Sequence, residues 1–112
     1  HAIETVTGYK DYLHGEAVSA GMMGAAYIAY KVGLVKNTDV IERQKHLFSK
    51  YELPISVNDL GAENLINAMK NDKKKSNGDL NWVLLDSIGN AVTMNKIPEE
   101  IVQDALSELS KD

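Results

Sequence analysis

The sequence predicts a mainly α fold, a compact helical domain of about five helices, including an N-terminal stub, with one small β-hairpin. No formal charge occurs between Glu16 and Lys31, so a helix built from this stretch is apolar almost all round and belongs in a core. Four further segments place apolar residues at helical spacing, and one segment reads as two short strands around a turn. A length of 112 residues suits one domain with one core.

The N-terminal stub is predicted at residues 1–8, where apolar Ile3 and Val6 are followed by Gly8, a residue typical of a helix end. No residue precedes the stub to cap its start. We therefore expect the chain to begin inside an element and to be a fragment of a longer protein. A short connection at 9–13 leads from the stub to the central helix.

The central helix is predicted to begin at His14, with Glu16 in its first turn, where the helix dipole favours an acid. Gly33 is expected to end the helix in a left-handed conformation, with Leu34 folding back on the last turn. The uncharged run is shorter than the roughly 18 residues that indicate a membrane span. The pattern therefore predicts a buried core helix rather than a transmembrane segment.

The second helix is predicted to start at Thr38 or Asp39, with Asp39 and Glu42 forming a capping box, and to end at the Leu-Pro pair of 53–54. Its apolar stripe is expected to contain Ile41, Leu47, Phe48 and Tyr51. Its other face carries charged and polar residues, among them His46, and is interpreted as a solvated surface.

A third helix is predicted at 62–71, and the run at 72–78, which begins with an aspartate and three lysines and ends with a glycine, is expected to break it. Its apolar side contains Leu65, Ile66 and Met69. Two interpretations of the lysines stay open. They form a solvated run that offsets the negative end of the helix dipole, or one of them reaches into a cleft as part of a phosphate or carboxylate clamp.

Two hairpin strands are predicted at 80–85 and 91–94, joined by turn residues around Gly89 and Asn90. A single hairpin is not a stable sheet, so it is expected to lie on the helices. The last helix is predicted to have Pro98 at its first helical position. Its apolar stripe is continuous and contains Ile101, Val102, Ala105, Leu106 and Leu109.

Charge and cysteine content exclude several classes of function. The formal net charge of −4 argues against nucleic acid as a main partner. Because the chain has no cysteine, it has neither a disulfide framework nor a thiolate metal site, so any metal would need histidine and carboxylate ligands. We find no signal peptide and no lipidation motif, and a cytoplasmic location fits this composition.

His14 lies where a loop meets the predicted core helix. A helix amino terminus disfavours positive charge on an imidazole, and the neutral imidazole is the form that binds metals. A histidine that only packs against or caps the helix fits the pattern equally well. His1 is a second histidine at this end of the domain, but a catalytic zinc site has about three protein ligands and a water. The remaining ligands would have to come from elsewhere.

Five short motifs occur along the chain, namely HAIE at 1–4, HGEAV at 14–18 with GM at 21–22, LP at 53–54, DKK at 72–74, and VLL at 83–85 followed by IG at 88–89. In this order and spacing the set resembles the C-terminal, mainly helical domain of 3-dehydroquinate synthase, across essentially the whole chain. The resemblance implies a single domain over 1–112 and places the Rossmann-like, NAD-binding N-terminal domain outside this chain.

The resemblance implies a carbon-oxygen lyase of the shikimate pathway, in aromatic amino acid biosynthesis. Such an enzyme converts 3-deoxy-D-arabino-heptulosonate 7-phosphate to 3-dehydroquinate and phosphate, using NAD and a divalent metal, usually zinc or cobalt. By the same resemblance, His14 is a metal ligand, His1 is an active-site residue that contacts the substrate near its phosphate, and Lys73 contacts the substrate's anionic end. The other two metal ligands, a glutamate and a histidine four residues before His1, would lie outside the chain.

The implied partners are the N-terminal NAD-binding domain of the same protein, the sugar phosphate and, in the parent enzyme, a second copy in a homodimer. With one metal ligand of three and no NAD cleft, the isolated chain is expected to be inactive, to bind zinc weakly, and to expose apolar surface or self-associate. One rival is a domain of another sugar phosphate cyclase, such as 2-deoxy-scyllo-inosose synthase. Another is a non-catalytic helical interaction module, in which His14 and Lys73 are ordinary residues.

Overall fold

Helix α2, His14–Lys31, is the central element of the computed structural model, which describes residues 1–58, 60–75, 78 and 80–111. It contacts four other elements, namely α1 (Ala2–Val6), α3 (Asp39–Lys50), α5 (Glu99–Leu109) and strand β1 (Trp82–Ser87). Helix α4 (Ala62–Lys75) contacts α1 and α5, and β2 (Asn90–Met94) completes an antiparallel hairpin with β1. The elements of the described residues confirm the predicted mainly α fold with one hairpin.

Small side chains on α2 let its neighbours pack closely. A Cβ atom at Gly24 would lie 3.3 Å from the Cδ2 atom of Leu109, so glycine permits the close approach of α5. The helix ends as predicted, because Gly33 has a φ of 82° and the N–H of Leu34 donates to the carbonyl of Ala29 at 2.9 Å. None of the described helices is long and apolar enough to cross a membrane.

The prediction that α2 is buried all round is wrong for one stripe of the helix. Val18 and Met22, one turn apart, are 44% and 43% exposed. The opposite side is fully packed, since Ala20 and Met23 are both 0% exposed. One domain of this size surrounds α2 on part of its circumference only, so the apolar composition alone overestimates its burial.

The predicted capping box of α3 is wrong. The N-cap residue is Thr38, and no side-chain hydrogen bond caps this helix among the described residues. Instead, the N–H of Asp39 donates to the side-chain oxygen of Asn37 at 3.0 Å, which satisfies one of the free amide groups at the helix start.

The predicted apolar stripe of α3 is correct for Ile41 and Phe48 and wrong for Leu47 and Tyr51, which are 52% and 67% exposed. The helix turns a different side towards α2 and buries Gln44. Burial of that amide is possible because its Nε2 donates to the carbonyl of Met22 at 3.0 Å.

Helix α4 continues to Lys75, so the predicted end near residue 71 is wrong, and the helix includes the three lysines of the predicted breaking run at 72–78. Lysine is a good helix former, and three cations in the last turn interact favourably with the helix dipole. The apolar side lies where predicted, with Leu65 0% exposed. Ile66 and Met69 are half-buried beside it.

The hairpin pairs Trp82 with Met94 and Leu84 with Val92, with an irregularity between Leu85 and Ser87. Helix α5 starts one residue later than predicted, with Pro98 as the N-cap. Its buried stripe is confirmed for Val102, Ala105, Leu106 and Leu109. The N–H of Val57 donates to the carbonyl of Leu109 at 2.9 Å, which joins the loop before α4 to the end of α5.

The core has two hydrophobic clusters, one with Met23 and Leu65 and the other with Ile28 and Leu84, and Tyr27 packs against both. Its burial, followed by the nearby Glu108 and Glu42 carboxylates, raises its pKa above the ordinary value of 10.0. Well below pH 10 the phenol is neutral in the folded and the unfolded chain, so its ionisation does not affect the free energy of unfolding. Between pH 10 and the raised pKa, only the unfolded chain loses this proton, so the free energy of unfolding falls.

We expect the free energy of unfolding to fall less between pH 8 and 10.5 in Tyr27→Phe than in the original chain, as measured by urea unfolding. The exposed Tyr51→Phe is the control, and an equal loss in both variants would contradict the expectation.

Candidate functional site

The connection between α1 and α2 reverses the chain sharply. Gly8 and Tyr9 are both left-handed, with φ of 65° and 61°, a conformation that is uncommon for a residue with a side chain. The turn is closed by the N–H of Tyr9, which donates to the carbonyl of Glu4 at 2.8 Å. This reversal brings the start of α2 back beside the surface of α1.

His14, the first residue of α2, forms a side-chain contact with Glu4 of α1. The Nδ1 atom of His14 lies 3.1 Å from the Oε2 atom of Glu4. Because a carboxylate only accepts hydrogen bonds, Nδ1 carries the hydrogen, and in the neutral imidazole Nε2 then carries the lone pair. The Glu4 side chain is 14% exposed, whereas that of His14 is 76% exposed. The arrangement therefore orients an accessible imidazole with an available nitrogen lone pair.

Glu16 caps the same helix start. Its Oε1 atom accepts a hydrogen bond from the N–H of Leu13 at 2.9 Å, while the carbonyl of Leu13 accepts from the N–H of Ala17 at 3.0 Å. These bonds hold the first turn of α2 in place. Glu16 therefore has a structural role at the start of α2, where an acid in the first turn was predicted.

His1 is exposed at the N-cap of α1. The next two residues, Ala2 and Ile3, are 7% exposed each and fasten this short helix to the core. His1 precedes Glu4 by three residues and stands at the start of α1. The name α1–α2 patch is used here for the contact pair Glu4 and His14 together with His1.

The α1–α2 patch does not make a complete metal site within the described residues, because no group of three or more histidine, aspartate or glutamate side chains could hold a metal ion there or elsewhere. A catalytic zinc site needs about three protein ligands. The orientation of His14 by a carboxylate is nevertheless the usual outer-shell arrangement of a metal-binding histidine. The patch therefore fits one ligand of a site that other residues would complete.

Lys73 lies in the last turn of α4 and lines a cleft between α4, the hairpin and the start of α5. No residue of α1 or α2 lines this cleft in the part of the chain that the structure describes. The proximity of Lys73 to His1 and His14 stays a prediction.

The contact of Glu4 with His14 is absent from the sequence-based predictions, although Glu4 belongs to the HAIE motif at 1–4. An acid one turn after His1 is visible in the sequence. Its partner His14 is ten residues away, across a turn whose left-handed Tyr9 has no sequence signal, so their contact was not foreseeable.

A family model described as 3-dehydroquinate synthase C-terminal matches residues 1–75, two-thirds of the chain. The chain belongs to the 3-dehydroquinate synthase family. The match includes His1, His14 and Lys73, and it confirms the resemblance seen in the motifs.

Curated relatives named 3-dehydroquinate synthase extend the match beyond residue 75. The protein of Nitrosospira multiformis is 38% identical over 112 residues, all of this chain and 30% of that protein. That of Psychrobacter arcticus is 38% identical over 96% of this chain and 28% of its own length, and that of Crocosphaera subtropica is 34% identical over 97% and 30%. The chain thus spans less than a third of the length of these 3-dehydroquinate synthases.

Proposed function

We propose that residues 1–112 form the C-terminal, single-domain part of a cytoplasmic 3-dehydroquinate synthase. The reaction is the conversion of 3-deoxy-D-arabino-heptulosonate 7-phosphate to 3-dehydroquinate and phosphate. The rest of the polypeptide, including the NAD-binding domain, would supply the cofactor and the missing metal ligands. The observation that carries the proposal is the contact between Glu4 and His14, which lies within the region matched by the family model.

In this proposal His14 is the metal ligand of the domain, with Nε2 as the donor atom. Glu4 accepts the Nδ1 hydrogen at 3.1 Å and so holds the ring in one tautomer and orientation. A bound divalent ion, zinc or cobalt, would polarise the substrate's hydroxyl groups. The role of Glu4 is to keep the donor nitrogen in place before the ion arrives, which lowers the entropy cost of binding.

His1 and Lys73 are assigned to the substrate. His1 is exposed on the same patch as His14, so it is available to a ligand held beside it, and it would donate to the phosphate. Lys73, an exposed cation at the end of α4, would neutralise the anionic end of the substrate.

The NAD-binding domain is proposed to pack on the exposed apolar stripe that starts next to His14. Val18 follows His14 by one turn on the same side of α2, and Met22 follows Val18 by another turn. Their side chains are 44% and 43% exposed. Apolar side chains in one continuous stripe are typical of a contact surface. Because the stripe begins at the α1–α2 patch, a domain covering it would bring its own metal ligand and NAD close to His14. A homodimer is proposed for the complete enzyme.

The proposal is tested by a chimera in which this chain replaces the matching part of the Nitrosospira multiformis 3-dehydroquinate synthase. With NAD and zinc, the chimera is expected to release phosphate from the heptulosonate phosphate, whereas the isolated chain is expected to be inactive. A folded chimera that accepts another sugar phosphate instead would support the cyclase rival. A folded, zinc-loaded chimera with no turnover of either substrate would contradict the proposal.

Replacement of Glu4 by alanine in the chimera is expected to weaken zinc affinity by about 10- to 100-fold, because the orienting partner of His14 is lost. Glu4→Gln should cause a smaller loss, since its amide oxygen still accepts the Nδ1 hydrogen. Zinc affinity is measured by competition with a chromophoric chelator, and the exposed Glu100→Ala is the control. Equal affinities in Glu4→Ala and the control would show that Glu4 has no such role.

A further inference from the structure

A second site is suggested by the cleft between α4, the hairpin and the start of α5. Its volume is about 540 Å³, which lies within the roughly 300–1,000 Å³ of sites for small organic molecules. No described residue of the α1–α2 patch lines it; Lys73, which the proposed function assigns to the substrate, does line it, so the inference uses only the other lining residues.

The lining of the cleft is mostly apolar and includes one large aromatic ring. Its apolar side chains are Ile66, Met69, Leu80, Trp82, Ile97, Pro98 and Val102. The indole of Trp82 can stack on a ligand's aromatic ring or contact its edge. The sulfur of Met69 also interacts favourably with such a ring. This lining therefore favours a planar aromatic body over a polar sugar.

The polar part of the cleft is cationic. Lys70 and Lys96 contribute two positive charges, and Glu99 contributes one negative charge, so the formal charge of these three side chains is +1. Glu99 is engaged by Lys70, with the Oε1 and Nζ atoms 2.8 Å apart. The whole chain has a net charge of −4, so this is a local excess of positive charge on an acidic protein. A ligand with an anionic group would be selected here over a neutral or cationic one.

We propose that this cleft binds a small aromatic anion, with its ring against Trp82 and Met69 and its carboxylate or sulfonate beside Lys96 and Lys70. The apolar lining supplies the burial of the ring, and the lysines determine the sign of the charge that is accepted. Lys73 also lines the cleft, but its proposed substrate role makes it unsuitable for the test.

The test uses the 112-residue chain and the matched probes 2-naphthoate and 2-naphthamide, which share a ring system and differ in charge. Trp82 is the single tryptophan, so its one indole N–H resonance reports on the cleft. Addition of 2-naphthoate is expected to shift this resonance saturably, and 2-naphthamide is expected to bind several-fold more weakly. Higher salt should weaken only the naphthoate, since exposed charges are screened.

The double variant Lys70→Gln, Lys96→Gln is expected to bind 2-naphthoate roughly tenfold more weakly, with no change for 2-naphthamide. The exposed Lys36→Gln, which lies in the loop before α3, is the matched control and should bind like the original chain. The proposal is overturned if the Trp82 resonance does not move, if both probes bind equally, or if the double variant matches the control. Superimposable spectra away from the cleft establish that each variant is folded.

Discussion

Replacement of His14 by alanine in the chimera is expected to reduce zinc affinity and turnover by more than about 100-fold. The loss should exceed that in Glu4→Ala, because loss of an outer-shell partner lowers metal affinity or activity by about 10- to 100-fold. Replacement of His14 removes a bond to the metal itself. The His14 side chain is 76% exposed and its described contact is with Glu4, so its removal is not expected to unfold the domain.

His46→Ala is the matched control, because His46 is exposed on α3. Zinc content after gel filtration and phosphate release are measured for both variants in parallel. The role of His14 is refuted if zinc content and turnover are the same in the two proteins. If turnover falls while zinc content is unchanged, His14 acts on the substrate and not on the metal.

Replacement of Leu65 by alanine is expected to lower the free energy of unfolding by about 2–5 kcal/mol, because the side chain is fully buried and its removal leaves a cavity. This is a large part of the roughly 5–15 kcal/mol that stabilises an ordinary domain. Leu65 belongs to the same core cluster as Ala2 and Ile3, so the cavity would also loosen the helix that holds His1 and Glu4.

Leu47→Ala makes the same chemical change at a position that is 52% exposed. We expect it to change stability by less than about 0.5 kcal/mol. Urea unfolding followed by circular dichroism compares the two variants. Similar midpoints for Leu65→Ala and Leu47→Ala would mean that the packing around α4 contributes far less than its burial indicates.

The spacing of apolar residues predicted burial more accurately for α5 than for α3. On α5, the apolar spacing predicted the buried residues correctly, because one side of the helix is apolar and the other is charged. On α3, several spacings are compatible with the same sequence, and the observed one buries Gln44 and leaves Leu47 exposed. The bond from Gln44 to the Met22 carbonyl makes that orientation acceptable, and it depends on where α2 lies.

Some features of the candidate site are visible in the sequence, and others depend on the fold. The histidines and the acid of the HAIE motif at 1–4 are visible in the sequence, and so is the family they indicate. The contact between Glu4 and His14 depends on a left-handed Tyr9, and the cleft beside Lys73 is formed by α4, the hairpin and α5 together. Contacts of this kind join residues that no local pattern relates.

The sequence by itself determined the helical class, the hairpin, the end of α2 at Gly33 and the family, because each depends on local conformational preference or on a short motif. Only the tertiary structure decided which side of α3 is buried, which stripe of α2 stays exposed, and that Glu4 orients His14. These features depend on the positions of neighbouring elements, and several orientations of one helix satisfy the same pattern of apolar residues. Packing selects among them by the polar groups it satisfies and the cavities it fills.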